Sequence, residues 1–393
     1  MMQSIWRENR MNNPRWFSQN FFLFFMTWGI FLPYWTGFLV QGKGLEVSEA
    51  SLIMGFGLVV RGLSALVGYP YASKYWSAHK VVFFLIIGSL VATILYIPST
   101  SFSSLFVVTL IFSVFYPTLL PAVESTAGIL MQQGDGAYGK ARSFGPLGFI
   151  VSVLVISMLT GHFGDKAILW AMMCMLVIML IKYMMPSPTV LTEKPIKEEN
   201  KQTMKMSSLW KIKSFPVVLL IVFLLQGAHA SYYNYGYIYL QDLGVNPYYI
   251  GMIINIAVIF EIICFAKADH LFRKWKPSSL LLIATAGSTL RWLLIFIFPN
   301  VWIFMLSQSL HALSFALAHY AFILYITNSL PKEQNSNAQG VYSAFAMSFS
   351  TAILTLAGGF LYGISPGLSF AGMAVCTLPA IWIILATRRK YNY

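Results

Sequence analysis

The feature that most constrains this chain is a series of apolar runs, each about 20 residues long, the length of a membrane-spanning helix. The whole chain is 58% hydrophobic and 10% charged, with a mean hydropathy of +0.68. Such runs predict an all-α membrane protein, because a helix satisfies its own backbone hydrogen bonds in lipid. We predict twelve transmembrane helices, at residues 16–40, 48–69, 80–98, 102–131, 138–161, 166–185, 215–240, 248–269, 277–298, 301–326, 340–363 and 367–387.

The net charge of +13 has a membrane explanation rather than a nucleic-acid one. The basic residues fall mainly in the short loops between spans, where positive-inside asymmetry would place them. Cys174, Cys264 and Cys376 all lie within apolar runs, without the paired spacing of disulfides or metal ligands. We therefore expect no nucleic-acid partner, no metal and no cofactor.

One long polar segment divides the twelve spans into six and six. It runs from residue 186 to 214 and predicts a cytoplasmic linker between two six-helix bundles, residues 1–185 and 215–393. One set of alternate loops carries only Lys43 and Lys166, whereas the N-terminal arm, the other loops and the tail are rich in basic residues. Both termini are therefore predicted to be cytoplasmic.

A carboxylate and a guanidinium interrupt the apolar helices on either side of the polar tip at residues 132–136. Glu124 and Arg142 lie at similar distances from this tip, so antiparallel helices would place them at the same depth. At ~1.5 Å per residue, that depth is ~12–15 Å, near the middle of the hydrocarbon layer. Charges there are costly unless they are paired, so we predict a functional pair, with a static helix clamp as the alternative.

The second half repeats this pattern with Glu261 and Arg291, on either side of the loop at 271–277. His229 and His311 also fall near mid-depth, and His319 is predicted to lie on a face next to that of His311. Each histidine could instead form only a hydrogen bond between helices.

Residues 121–145 resemble the fourth and fifth helices of the lactose permease family, through PAVE (121–124) and YGKAR (138–142). The chain resembles still more closely the branch of the major facilitator superfamily that includes 3-phenylpropionic acid permease. The segments that carry this resemblance include GIFLPYW (29–35), LLQGAHASYY (224–233), LHALSF (310–315) and the run from 341 to 363. The resemblance implies the major facilitator fold and secondary transport.

It also implies that Glu261, Arg291 and His311 couple proton movement to transport. The chain departs from the lactose permease pattern at Ser314, where that family carries its proton-bearing glutamate. Either the proton site has moved or proton coupling is lost. Glu124 and Glu261 are the remaining carboxylates embedded deep within spans, and we favour Glu261 as the proton carrier.

Aromatic side chains near mid-depth predict the type of solute. Tyr232 and Tyr233 are candidates to line the cavity with Trp28, while Tyr237 and Tyr239 are expected in an interfacial aromatic belt. At Phe149, lactose permease has a tryptophan that stacks on the sugar. Phenylalanine there, with few amide side chains nearby, favours a flat, apolar solute over a sugar.

We therefore predict a proton-coupled importer of a small organic anion such as 3-phenylpropionate, working by alternating access. The expected substrate-binding residues are Glu124, Arg142, Phe149, His229, Tyr232, Tyr233 and Trp28. The alternatives are a sugar or nucleoside symporter and an efflux transporter. An enzyme is not expected, because no nucleophile or metal set is apparent. We expect a monomer in the bilayer of the bacterial cytoplasmic (inner) membrane.

Overall fold

The computed structural model describes residues 2–132, 142–193, 206–331, 334–391 and 393. Across these ranges the chain is helical and has no strand. Twelve helices are long and apolar enough to cross a membrane, which confirms the predicted fold class. They are α1 Arg15–Gly42, α2 Val47–Tyr75, α3 Ala78–Leu95, α4 Phe102–Ala127, α5 Phe144–Phe163, α6 Ala167–Met184, α7 Ser214–Asp242, α8 Pro247–Phe272, α9 Pro277–Ile297, α10 Val301–Ser329, α11 Asn337–Ile364 and α12 Pro366–Tyr391.

The boundaries differ from the predicted ones by a few residues at most helix ends. The largest difference among the described residues is at α2, which continues to Tyr75 rather than 69. The predicted start of α5 at residue 138 lies outside the described residues. The polar tip after Gln132 lies outside the described residues, as does the central part of the predicted linker, 194–205.

Several spans depart locally from α-helical geometry. Residues 228–229 form a turn within α7, and residues 116–118 form one within α4. Ala312–Leu317 in α10 and Phe345–Phe349 in α11 are π-helical. At such departures some backbone groups do not form the regular hydrogen bonds of an α-helix. Departures of this kind are frequent at functional sites.

The chain forms two compact units. Unit 1 contains Met1–Gly44 and Leu63–Glu198, and unit 2 contains Leu45–Gly62 and Glu199–Tyr393. The domain borders given above, with a linker at 186–214, remain a prediction.

In unit 1, α1 and α5 pack closely because α5 presents small residues to α1. A Cβ at Gly148 would collide with the backbone of Phe22, so glycine is required for this approach. One turn further, Ser152 donates a 2.6 Å hydrogen bond to the carbonyl of Met26. Small residues and a hydroxyl at a helix contact are typical of membrane proteins.

In unit 2, buried apolar side chains of α7, α9, α10, α11 and α12 form one hydrophobic cluster. Val222, Leu281, Phe322, Val341 and Ile384 are all completely or almost completely buried there. Because lipid is as apolar as these side chains, close packing and hydrogen bonds hold the helices together.

The first part of α2 also belongs to unit 2, where it contacts α7. The Tyr235 hydroxyl lies 2.9 Å from Ser51 Oγ and donates a 2.6 Å hydrogen bond to the carbonyl of Thr355. Buried hydroxyls thus have partners on two neighbouring helices.

Candidate substrate and proton site

The two predicted charged residues of unit 1 meet. Arg142, two residues before α5, has its Nη2 2.6 Å from Oε1 of Glu124, which lies in the second half of α4. The two side chains are 42% and 37% exposed, and the guanidinium lies 5.8 Å from the centre of the Phe21 ring. The pair is therefore formed but remains accessible to a solute.

The two aromatic candidates of unit 1 are fixed by their neighbours. Trp28 is 9% exposed and stacks on Phe24 and Tyr116, with ring centres 5.9 and 6.2 Å apart. The Tyr116 hydroxyl donates to Thr27 Oγ1, which fixes the position of this stack. Phe149 is also 9% exposed, on the α5 face that packs against α1.

In unit 2, Arg291 is completely buried, and its charge is surrounded by polar and aromatic groups. Its Nη1 lies 2.8 Å from His311 Nδ1 and 3.3 Å from Ser314 Oγ, and its Nη2 donates to Gln308 Oε1 at 3.0 Å. The guanidinium also lies 4.5 Å from the ring centres of both Tyr232 and Trp292. These contacts offset part of the cost of burying a cation.

His311 connects Arg291 to Glu261. Because the guanidinium can only donate, His311 Nδ1 must accept, which places the imidazole proton on Nε2. His311 Nε2 lies 3.3 Å from Glu261 Oε2, so the neutral ring donates to the carboxylate. The predicted association of Glu261 with Arg291 is therefore carried through a histidine.

Glu261, His311 and Arg291 differ in how much of each side chain is exposed. The side chain of Glu261 is 26% exposed, whereas that of His311 is 4% exposed and Arg291 is fully buried. Glu261 is therefore the most exposed of these three groups.

His229 joins the same network through Ser314. His229 Nδ1 lies 3.0 Å from the carbonyl of Leu225, so it carries the proton and donates, while Nε2 accepts from Ser314 Oγ at 3.1 Å. Ser314 Oγ also accepts from Arg291. A hydroxyl can accept one hydrogen bond and donate another at the same time, so Ser314 connects Arg291 to His229 without adding a charge.

The tyrosines of α7 differ from one another in exposure and in contacts. Tyr233 is partly exposed and stacks on His229, with ring centres 5.7 Å apart, while Tyr232 is 8% exposed beside Arg291. The prediction that Tyr237 and Tyr239 lie in an interfacial aromatic belt is wrong, since these side chains are only 1% and 2% exposed. Here α7 is buried on all sides, so no polar face marks the membrane boundary.

The position of His319 also differs from the expected one. The rings of His311, Phe315 and His319 stack in succession, with centres 5.2 and 6.4 Å apart. The π-helical turn Ala312–Leu317 lies between the two histidines and changes the rotation per residue, which brings them into line.

Sequence reasoning did not identify Gln308 and Trp292 as parts of the site. Gln308 lies three residues before His311, so helical spacing could have placed it on the same face. Trp292 directly follows Arg291, and nothing in the spacing alone indicates that its ring would pack on the guanidinium.

Among the residues that the structure describes, no three His, Cys, Asp or Glu side chains lie together as ligands of a metal would. The ionisable groups described above instead form a network of hydrogen bonds within helices that can span a membrane. Buried ionisable side chains of this kind mark proton or solute pathways.

A model of the "MFS_1 like family" matches residues 15–371. The chain belongs to this family. It is 30% identical over 378 residues to a probable 3-phenylpropionic acid transporter of Escherichia coli (strain K12), covering 95% of this chain and 97% of that relative. A maltose permease of Geobacillus stearothermophilus is 24% identical, with 94% and 93% covered. The resemblance stated from the sequence is thereby confirmed.

The fold is shared with solved transporters. The crystal structure of the nucleoside transporter NupG aligns with a TM-score of 0.79 at 16% identity, covering 97% of this chain and 99% of that one. This member of the MFS_1 like family is therefore a multi-pass membrane transporter of small solutes and not an enzyme.

Proposed function

We propose that this transporter is a proton-coupled importer of a small organic anion, an aromatic carboxylate such as 3-phenylpropionate, by alternating access. The observation that carries the proposal is the accessible Arg142 guanidinium, paired with Glu124 and lying against the Phe21 ring. A guanidinium offers a planar fork of donors to a carboxylate. The neighbouring rings suit an aromatic solute.

Trp28 and Phe149 in unit 1 and Tyr232 and Tyr233 in unit 2 are assigned to substrate binding in this proposal, together with His229. The printed name of the Escherichia coli relative supports an aromatic acid as the solute. We place both termini in the cytoplasm, the protein in the bacterial inner membrane, and the transport unit in a monomer.

Proton coupling is assigned to Glu261, His311 and Arg291. Glu261 is the accessible end of a network whose other end is a buried cation. Protonation of Glu261 would leave Arg291 without its relayed counter-charge, which favours a rearrangement of the helices that carry them. Transport of the solute would follow that rearrangement.

A sugar or nucleoside is the competing solute, favoured by the maltose permease relative. The amide and hydroxyl groups of Gln308 and Ser314 are already bonded to Arg291, so neither is available to hold the hydroxyls of a sugar. An efflux transporter is the competing direction, and the sign of a proton-driven flux distinguishes it from an importer.

The test measures binding and uptake with one set of solutes. Purified protein is heated with 3-phenylpropionate, maltose or a nucleoside, since a ligand of the folded state raises the melting temperature. We expect 3-phenylpropionate alone to do so and Arg142→Gln to abolish the shift. Inner-membrane vesicles with an imposed proton gradient should accumulate the same acid. Stabilisation and uptake of maltose or the nucleoside, with no effect of the acid, would refute the proposal.

A further inference from the structure

A groove of about 530 Å³ lies within unit 1, between α1, α5 and α6, and none of the candidate solute residues lines it. Its volume is in the ~300–1,000 Å³ range of small-molecule sites. The side chains that line it are mostly apolar, and they include Ile30 of α1, Ile156 and Leu159 of α5, and Trp170 and Met175 of α6. Neither Glu124 nor Arg142 lines it, so the proposed solute site does not explain it.

The groove is open because α6 presents small side chains along one face. Ala167, Ala171 and Cys174 follow one another at intervals of four and three residues, which places them on one face of the helix. They line the groove over most of its length. From Lys166 to Met175 the groove follows about 13 Å of α6 towards the middle of the membrane.

The mouth of the groove carries a lysine. Lys166 lines the groove, is exposed to solvent, and occupies the N-cap position of α6, where the spanning segment begins. Trp170, one turn into the helix, is 54% exposed. An aromatic ring and a basic side chain at this level are typical of contact with lipid headgroups.

A second lysine lies near the first. The turn after α1 approaches the turn before α6, since a Cβ at Gly42 would lie 3.5 Å from the backbone carbonyl of Asp165. Lys43 Nζ donates to the carbonyls of Tyr96 and Ser99 at 2.5 and 2.8 Å. Burial and the charge of Lys166 lower the pKa of Lys43.

These two lysines are the exceptions in the distribution of charge along the chain, because their set of loops is otherwise without basic residues. We infer that the groove binds one anionic phospholipid, with an acyl chain between α5 and α6 and the phosphate on Lys166. The complementary charge selects an anionic headgroup over a zwitterionic one. If both termini are cytoplasmic, as proposed above, the lipid lies in the outer leaflet. This choice of leaflet is the one part of the inference that rests on the proposed function.

The test compares phosphatidylglycerol with phosphatidylcholine of the same acyl chains. Delipidated full-length protein in non-ionic detergent is titrated with each lipid, and the bound lipid is counted by native mass spectrometry. We expect one phosphatidylglycerol to be retained preferentially. Lys166→Gln should weaken it about fivefold, the effect of one basic residue at a membrane surface. Lys182→Gln, near the other end of α6, is the matched control and should leave this site unchanged.

The location is tested separately from the charge. Bound phosphatidylglycerol should slow alkylation of Cys174, which lines the groove, and leave Cys264 in α8 unaffected within the same molecules. Ala171→Phe, which fills the groove, should lose the retained lipid. Equal retention of the two lipids, or undiminished retention by Ala171→Phe, would overturn the inference whatever solute the protein transports.

Discussion

At the scale of single residues, the main consequence of the structure is that Arg291 and Glu261 communicate through a neutral histidine. His311 accepts from the guanidinium and donates to the carboxylate, so its protonation state is set by both neighbours. A second proton on His311 would place two donors against each other at Nδ1. We therefore propose Glu261, the most exposed of the three side chains, as the group that takes up and releases the proton.

This argument predicts that Glu261→Gln separates two activities. Glutamine imitates the protonated carboxylate but cannot release a proton, so net uptake should fall to background. Exchange of solute should survive, because the solute-loaded carrier can return without deprotonation. The measurement is net uptake and equilibrium exchange with one preparation of protein, from pH 5 to 8.

Glu124→Gln is the contrasting variant, because it changes the carboxylate that pairs with the proposed substrate-binding Arg142, and it should lower net uptake and exchange together. A static clamp around Arg291 leads to a different result, in which stability, net uptake and exchange decline together. Accumulation by Glu261→Gln with the pH dependence of the unchanged protein would remove Glu261 from the coupling step.

At the scale of elements, the sequence predicts the spans well and the local departures from helical geometry poorly. Twelve apolar runs and the symmetric spacing of Glu124 and Arg142 are enough to place the helices and the first pair, because both depend only on helical rise. The stacking of His311 on Phe315 and His319 depends on the π-helical turn in α10, which no periodicity of apolar residues marks.

The same limit applies to contacts between helices that are buried on every side. Tyr239 donates to the carbonyl of Ile295 on α9, although an alternating run of tyrosines is typical of an interfacial belt. In lipid-embedded helices hydrophobicity alone does not distinguish core from surface, so the neighbouring helix decides which side is buried.

The contact between α1 and α5 yields a prediction about stability. Gly148→Ala should destabilise unit 1 by about 1–3 kcal/mol, because the new Cβ meets the backbone of Phe22, which cannot rotate away as a side chain would. Gly363→Ala in α11 is the matched control, since nothing lies within 4 Å of the position of its Cβ. That change should be neutral or should stabilise the helix by up to about 1 kcal/mol.

Thermal unfolding of the two purified variants, followed in one detergent, measures both effects. We expect the melting temperature of Gly148→Ala to fall and that of Gly363→Ala to stay or rise. Equal melting temperatures would show that α1 and α5 are far enough apart for a Cβ at position 148 to fit beside the backbone of Phe22.

At the scale of the whole molecule, the order of the twelve spans and the distribution of basic residues together predict the orientation. Lys274 lies between α8 and α9, and Ser365 lies between α11 and α12. Three spans separate these loops, so they must face opposite sides of the membrane if every span crosses it. The loop with Lys274 also carries Arg273 and Lys276, so the positive-inside rule predicts that it is cytoplasmic.

Single cysteines at these two positions test the orientation and the number of spans together. In a background with Cys174, Cys264 and Cys376 replaced by serine, we expect an impermeant maleimide added to intact cells to label Ser365→Cys and not Lys274→Cys. Inverted membrane vesicles should give the opposite pattern, which controls for the reactivity of each thiol. Labelling of both positions from the same side would mean that one of α9, α10 and α11 does not cross. The reverse pattern in cells would keep the fold and invert the orientation, and it would move the groove beside Lys166 to the cytoplasmic leaflet.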